Sequence, residues 1–243
     1  SGLWPDAAVV VATIRALKSQ TGKYKITPGK PLPSELLLEN AEDVYEGGAN
    51  LRAQIANIRR FGVPVIVALN AYPEDFPSEI EAVRKIAMES GAVDMAVSRV
   101  FAEGGAGGVD LAQKVVDMIK NHPVTERNQY LYPDAMPIVD KIRAIATNIY
   151  GAEDISLSDI AASQIETFEE QGYGHLPICM AKTHLSLSHD PALKGAPTGY
   201  IFPIREVRAS VGAGFIYPLA GNMVTMPGLS ADNAAMHIDI DEN

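Results

Sequence analysis

Two aromatic residues, Tyr72 and Phe101, each stand just past an apolar run, and rings of this kind hold flat ligands by stacking on their faces. Tyr72 falls in the segment FGVPVIVALNAYP at 61–73. There Val65, Ile66, Val67, Ala68 and Leu69 follow a turn at Gly62, Val63 and Pro64 without a polar interruption. A strand covered on both faces reads that way, and parallel sheets bind ligands outside the carboxyl ends of their strands. Phe101 follows the apolar stretch 92–97 and precedes Ala102, Glu103, Gly104, Gly105, Ala106, Gly107 and Gly108. Neighbouring strand ends carrying one ring apiece would make a clamp; packing at the rim of the sheet is the plainer role for the same rings.

The glycine run could let backbone amides approach an anion or a flat ring where a helix begins. It lacks the Lys-Ser/Thr of a nucleotide P-loop and the spacing of the dinucleotide fingerprint, so a plain flexible turn is the competing reading. Cys179, His184 and His189 raise the question of a metal, and Ser188-His189-Asp190 that of a hydrolase. Alternation along an extended strand would put the two histidines on opposite faces, unsuited to one ion, and a triad assembles in space rather than along three consecutive positions. No metal site is expected. Lys182, Arg205 and Arg208 flank strands and could hold a carboxylate or phosphate, or merely balance charge in an acidic protein. Asp239, Asp241 and Glu242 alternate with Ile238 and Ile240 as an edge strand with a solvated face.

The same patterns lay out a scaffold around these residues. The apolar run at 7–12 is a strand, entered with no helix or cap before it, as if in the middle of a domain. Residues 19–33, with Pro28, Pro31 and Pro33, form a loop. Helical composition runs over 36–45, breaks at Gly47-Gly48 and resumes over 49–60 with Leu51, Ile55 and Ile58 on one stripe, ending at Gly62. Ser78, Glu79, Ile80 and Glu81 read as a capping box opening a helix over 79–90. A further helix over 108–122 would turn Leu111, Val115, Met118 and Ile119 inward. Strand, helix, strand, helix, strand, helix predicts a parallel α/β sheet with flanking helices, short and in need of more strands. Residues 123–136, rich in proline, are the expected linker between a domain over 1–122 and a smaller α+β domain over 137–243. In the second, helices end at Gly151 and Gly172, and strands lie at 178–181, 199–207 and 215–219.

The chain has 243 residues and a formal charge of −10. That charge and the lack of clustered Lys and Arg argue against nucleic acid. No apolar run approaches a membrane span and no signal-peptide pattern opens the sequence. A single cysteine, Cys179, excludes an internal disulfide and fits a cytoplasmic location.

Several segments together resemble formate–tetrahydrofolate ligase: VATIRALK at 11–18, the stretch 61–73, Phe101 to Gly105, the stretches 149–152, 178–183 and 208–215, TMPGL at 225–229 and IDID at 238–241. The likeness covers nearly the whole chain in order. Residues 183–189 and 29–33 look closer to the eukaryotic type found within one-carbon tetrahydrofolate synthases. The resemblance implies an enzyme that joins formate to tetrahydrofolate with MgATP through formyl phosphate, in a polypeptide about twice this length. It implies that this chain is the C-terminal portion, and that the ATP-binding P-loop and the Arg for formyl phosphate belong to the N-terminal half, a required partner. It further implies a homo-oligomer, and leaves open a monovalent cation. The family's pterin-stacking pair falls on Tyr72 and Phe101, with Pro73 beside the first and Asn70, Glu103, Gly104 and Gly105 supporting the pocket. The usual residues there are Phe and Trp, so the smaller ring at Phe101 should weaken stacking by about 1 kcal/mol. After Lys18 the family has a short His-Gly-Gly turn, where this chain has Ser19-Gln20-Thr21-Gly22-Lys23. On this reading no catalytic residue lies in this chain, which would be inactive alone. The alternative is a non-catalytic folate-binding or assembly module of the same fold.

Overall fold

The computed structural model describes residues 4–27, 30–125 and 129–221. The architecture is α/β: a parallel three-stranded sheet with flanking helices, then a second, mixed sheet. β1 (Ala8–Ala12) leads into α1 (Ile14–Ser19), and after a 3-10 turn at Ser34–Leu37 come α2 (Ala41–Gly47), α3 (Ala49–Arg60), β2 (Val65–Asn70), α4 (Pro77–Glu89) and β3 (Asp94–Ser98). A one-turn helix α5 (Val100–Glu103), a 3-10 turn (Gly104–Gly108) and α6 (Val109–Asn121) complete the first half. The second sheet holds β4 (Asp154–Leu157), β5 (Ile201–Ser210) and β6 (Phe215–Ala220), between and after α7 (Ile138–Asn148) and α8 (Asp159–Glu170).

β2 is the central strand, and its five apolar residues are buried because both faces are covered. Val65, Val67 and Leu69 share one core with Leu51 and Ile55 of α3 and with Val83 and Ile86 of α4. Side chains of that size stabilise by about 1.5–3 kcal/mol each when fully buried. Ile66 and Ala68 alternate to the other face, and α6 packs against β3 there with Met118 buried. Ile119, expected to face inward with Met118, is exposed. β1 pairs only with β2 among the described residues, and Val9 and Val11, in register with Ile66 and Ala68, are exposed. The second sheet has its own core around Ile142, Ile165, Phe202, Ile204 and Ile216. β4 has no counterpart among the strands expected from the sequence, and 176–182 runs beside β6 with bridges at Ile178 and Ala181 rather than as a full strand.

A buried ion pair ties the first half together. Lys18 at the end of α1 and Glu79 in the first turn of α4 are both about 1% exposed and directly paired. The Lys18 ammonium also donates to the carbonyls of Leu36 (3.2 Å) and Leu38 (2.6 Å), and the Glu79 carboxylate accepts from the amides of Asn40 (2.9 Å) and Phe76 (3.2 Å). α4 therefore begins at Pro77 with Glu79 reaching back to the amide of Phe76. The expected cap at Ser78 is corrected accordingly, since that hydroxyl donates to Glu39. The single helix expected over 36–45 is a 3-10 turn and a separate α2, divided where Lys18 captures the carbonyls.

The altered turn after Lys18 closes through Gly22 at φ +75° and is anchored on α2 by Lys23 and Tyr24, both bonded to the buried Asp43 carboxylate (2.6 and 2.5 Å). These bonds, first from Lys23 and then from Tyr24, hold Asp43 below the usual carboxylate range, and the Tyr24 phenol is pushed up to about 12. A depressed carboxyl stabilises the fold above the unfolded value near pH ~4 and loses that contribution as pH falls through the folded one. Urea midpoints of the wild type and Asp43→Asn are thus expected to differ at neutral pH and to converge in acid. Removing one charge of a buried pair strands the other, so Glu79→Gln is expected to cost about 3–5 kcal/mol in urea unfolding, and an unchanged midpoint contradicts this role.

Candidate functional site at the strand ends

β2 and β3 run parallel with Asn70 opposite Ser98, and the amide of Ala71 extends the ladder to the Ser98 carbonyl (3.1 Å). The segments carrying Tyr72 and Phe101 therefore leave the sheet side by side. Tyr72, Pro73, Glu74 and Asp75 form a tight turn closed by the Asp75 amide on the Tyr72 carbonyl (3.1 Å), with Pro73 presetting the second position. The Asp75 carboxylate accepts from the Tyr72 amide at 2.8 Å, and burial holds it above the usual carboxylate range. Tyr72 is 40% exposed, and the guanidinium of Arg15 lies over its ring, 3.9 Å from the centroid. Arg15 is itself held by Glu74 at 2.9 Å. Arg15 stands just beyond the end of β1, so the ends of β1 and β2 contribute to one locus.

Phe101 lies on α5 and is fully exposed, with Val100 and Val109 also open to solvent. An exposed phenyl with exposed apolar neighbours is an uncovered patch of the sort that marks binding sites. The glycines shape the loop beneath it. Gly104 adopts φ +61°, ψ −147°, a region open to glycine alone, and a side chain on Gly107 would sit 2.5 Å from the Arg99 carbonyl carbon. The Arg99 amide bonds the Gly107 carbonyl at 3.0 Å, closing the loop that carries Phe101. Asn70, Pro73, Glu103, Gly104 and Gly105 are exposed, so every expected pocket residue is open to solvent.

The other chemistry-bearing residues do not converge. The stretch 184–189 is a series of bends, not the expected extended strand, because Ser186 and Ser188 bond each other (2.9 Å) and nearby backbone. Ser188 bonds the Asp190 backbone, and His189 packs against Tyr200 and Phe202. Among the described residues no group of three or more His, Cys, Asp or Glu could hold a metal ion. Arg208 is paired with Glu206 at 2.7 Å. Asp239, Asp241 and Glu242, with Ile238 and Ile240, lie outside the described residues. No helix among the described residues is long and apolar enough to cross a membrane. A cleft of about 1150 Å³ lies beside α3 and is lined by Asn57, Phe61, Tyr132, Tyr150 and Lys182 among others. Lys182 donates to the Thr183 (2.7 Å) and Ser186 carbonyls 5.2 Å from the Tyr150 ring; burial lowers its proton affinity and raises that of the Tyr150 phenol. The walls of this cleft come from segments far apart in the chain, so no sequence pattern announced it.

Residues 1–243 match the family described as formate–tetrahydrofolate ligase. The chain belongs to the formate–tetrahydrofolate ligase family. It is similar to proteins of that name from Chloroflexus aggregans (63% identical over 242 residues), Chloroflexus aurantiacus (62%) and Saccharopolyspora erythraea (53% over 243 residues). Each match covers 100% of this chain and 42% of the relative, so the chain spans well under half the length of these relatives. These relatives are bacterial, and at 53–63% identity they do not support the expected likeness to the eukaryotic type.

The loop geometry separates the glycines. Gly107→Ala is expected to cost about 1–3 kcal/mol in thermal or urea unfolding through overpacking, whereas Gly105→Ala, with open space around it, should change stability by about 0.5 kcal/mol or less. Equal effects at the two positions would contradict the close approach of the loop to Arg99.

Proposed function

We propose that the chain provides the tetrahydrofolate seat of a formate–tetrahydrofolate ligase, with the pterin stacked between Tyr72 and Phe101. The observation that carries this reading is a fully exposed Phe101 and a turn-locked, half-exposed Tyr72 on the segments that leave adjacent carboxyl ends of a parallel sheet in a member of this family. A bicyclic ring has two large faces, and burying each against an aromatic side chain removes apolar surface from water on both sides. Pro73 and Asp75 preset the Tyr72 turn, and Asn70, Glu103, Gly104 and Gly105 border the gap, so little ordering is left to be done on binding.

The reaction so proposed is attack by the folate nitrogen on the carbon of formyl phosphate. The N–C bond forms, the C–O bond to phosphate breaks, phosphate leaves, and the nitrogen gives up its proton to yield 10-formyltetrahydrofolate. Such an attack gains chiefly from alignment of the partners, which is what a rigid seat supplies. Making formyl phosphate requires Lys, Arg and Mg²⁺ around a transferring phosphoryl group, and the sequence has no P-loop motif. ATP, Mg²⁺ and formate are therefore assigned to the part of the relatives' length that this chain does not span, and this chain alone is proposed to be inactive. The exposed Val9 and Val11, on the sheet face that also carries Ile66 and Ala68, support a layer packed there by that part. A homo-oligomer, a monovalent cation and a cytoplasmic location belong to the same proposal.

Phe101 is fully exposed, so its removal should leave stability nearly unchanged, whereas removing Tyr72, half-exposed and covered on one face by Arg15, should cost about 1 kcal/mol. Tyr72→Ala and Phe101→Ala are each expected to weaken tetrahydrofolate binding about tenfold by calorimetry, within the ~1–3 kcal/mol of a stacked heterocycle. Phe101→Trp is expected to tighten it and to place an indole whose emission the ligand quenches. Wild-type affinity in both alanine variants would remove the seat from Tyr72 and Phe101, and no binding at saturating tetrahydrofolate would leave the assembly-module alternative.

A further inference from the structure

The geometry points to Arg15 as the positioning residue of this site, acting through Tyr72 to fix which face of the ring the pterin meets. The inference rests on the tetrahydrofolate reading and names a residue that the reading did not include. A tyrosine has two faces, and the guanidinium carbon of Arg15 stands 3.9 Å from the ring centroid, at the spacing of flat stacking. One face is thus already covered, and a bicyclic ligand can stack only on the other.

Arg15 is not a loose surface cation. Its backbone belongs to α1, whose start is fixed by the Thr13 hydroxyl on the Ala16 amide (3.2 Å) and whose end carries the buried Lys18. Its side chain is 25% exposed and bonds Glu74 at 2.9 Å, within the same turn that presents Tyr72. Tyr72 is therefore held in three ways: by Asp75 on its amide, by Pro73 in the turn, and by the Arg15–Glu74 pair across its ring. The pair fixes the ring orientation that the backbone contacts leave undetermined, because a side chain with a free χ1 would sample other staggered positions. With Arg15 in place the order of layers is guanidinium, tyrosine, pterin, phenylalanine.

A double-mutant cycle on the full chain tests this, with tetrahydrofolate affinity read by calorimetry and a urea midpoint taken for each variant. Arg15→Ala is expected to weaken binding about fivefold to tenfold with little change in midpoint. Arg15→Lys, which keeps a cation able to lie over the ring, is expected to restore affinity to within about twofold. In the Tyr72→Ala background, Arg15→Ala is expected to cost nothing further, since its effect passes through the ring. Glu74→Ala, which frees the guanidinium without removing it, should fall between wild type and Arg15→Ala, and it decides the matter with Arg15→Lys if Arg15→Ala fails to fold. Wild-type affinity in Arg15→Ala while Tyr72→Ala is impaired would overturn the positioning role and leave the folate seat standing. An equal loss from Arg15→Ala with and without Tyr72 would also overturn it, showing that Arg15 touches the ligand directly. Failure of tetrahydrofolate to bind the wild-type chain would instead sink the folate reading, and the inference with it.

Discussion

The pairing of Asn70 with Ser98 across parallel β2 and β3 underlies everything at this site. Strands in such a ladder lie about 4.8 Å apart, so the segments leaving them start as neighbours whatever their later course. A slip of one residue would exchange Val65, Val67 and Leu69 with Ile66 and Ala68 between two covered faces, so the fit of their different sizes to each close-packed face is what holds the register. The position of the two rings is therefore secured by apolar residues that never touch a ligand.

On the proposed reading, stability and recognition fall to different groups. The first core and the Lys18–Glu79 pair hold the sheet, α1, α2 and α4 together; Phe101, fully exposed, gains nothing from folding. The strained and crowded glycines at 104 and 107 fall in the loop beside Phe101, where backbone cost is accepted to set a loop shape. Arg15 links the two sets of groups. It lies one turn before the buried Lys18 on α1 and ends over the exposed ring of Tyr72.

Much of this was legible in the sequence for identifiable reasons. An unbroken Val65–Leu69 run announces a doubly covered strand, and Gly47-Gly48 and Gly62 mark the limits of α3 where the structure has them. Strand ends leading into Tyr72 and Phe101 needed only the general rule for parallel sheets. The misses came from partners distant in sequence or from local competition. Glu79 caps α4 from its third position while paired with Lys18, which left Ser78 free to bond Glu39. Ser186 and Ser188 satisfy backbone groups that a strand would have needed. β4 is short and its flanking helices dominate the pattern around it. Arg15 carried a usable signal as well: it stands three residues past β1, whose carboxyl end lies at the same edge of the sheet as those of β2 and β3.

A crystal structure with tetrahydrofolate bound would discriminate most sharply. The bicyclic ring is expected between Phe101 and the face of Tyr72 opposite Arg15, with the Arg15–Glu74 pair intact. Tetrahydrofolate seated instead in the cleft beside Tyr150 and Lys182, with the strand ends bare, would refute the assignment of the folate seat to Tyr72 and Phe101.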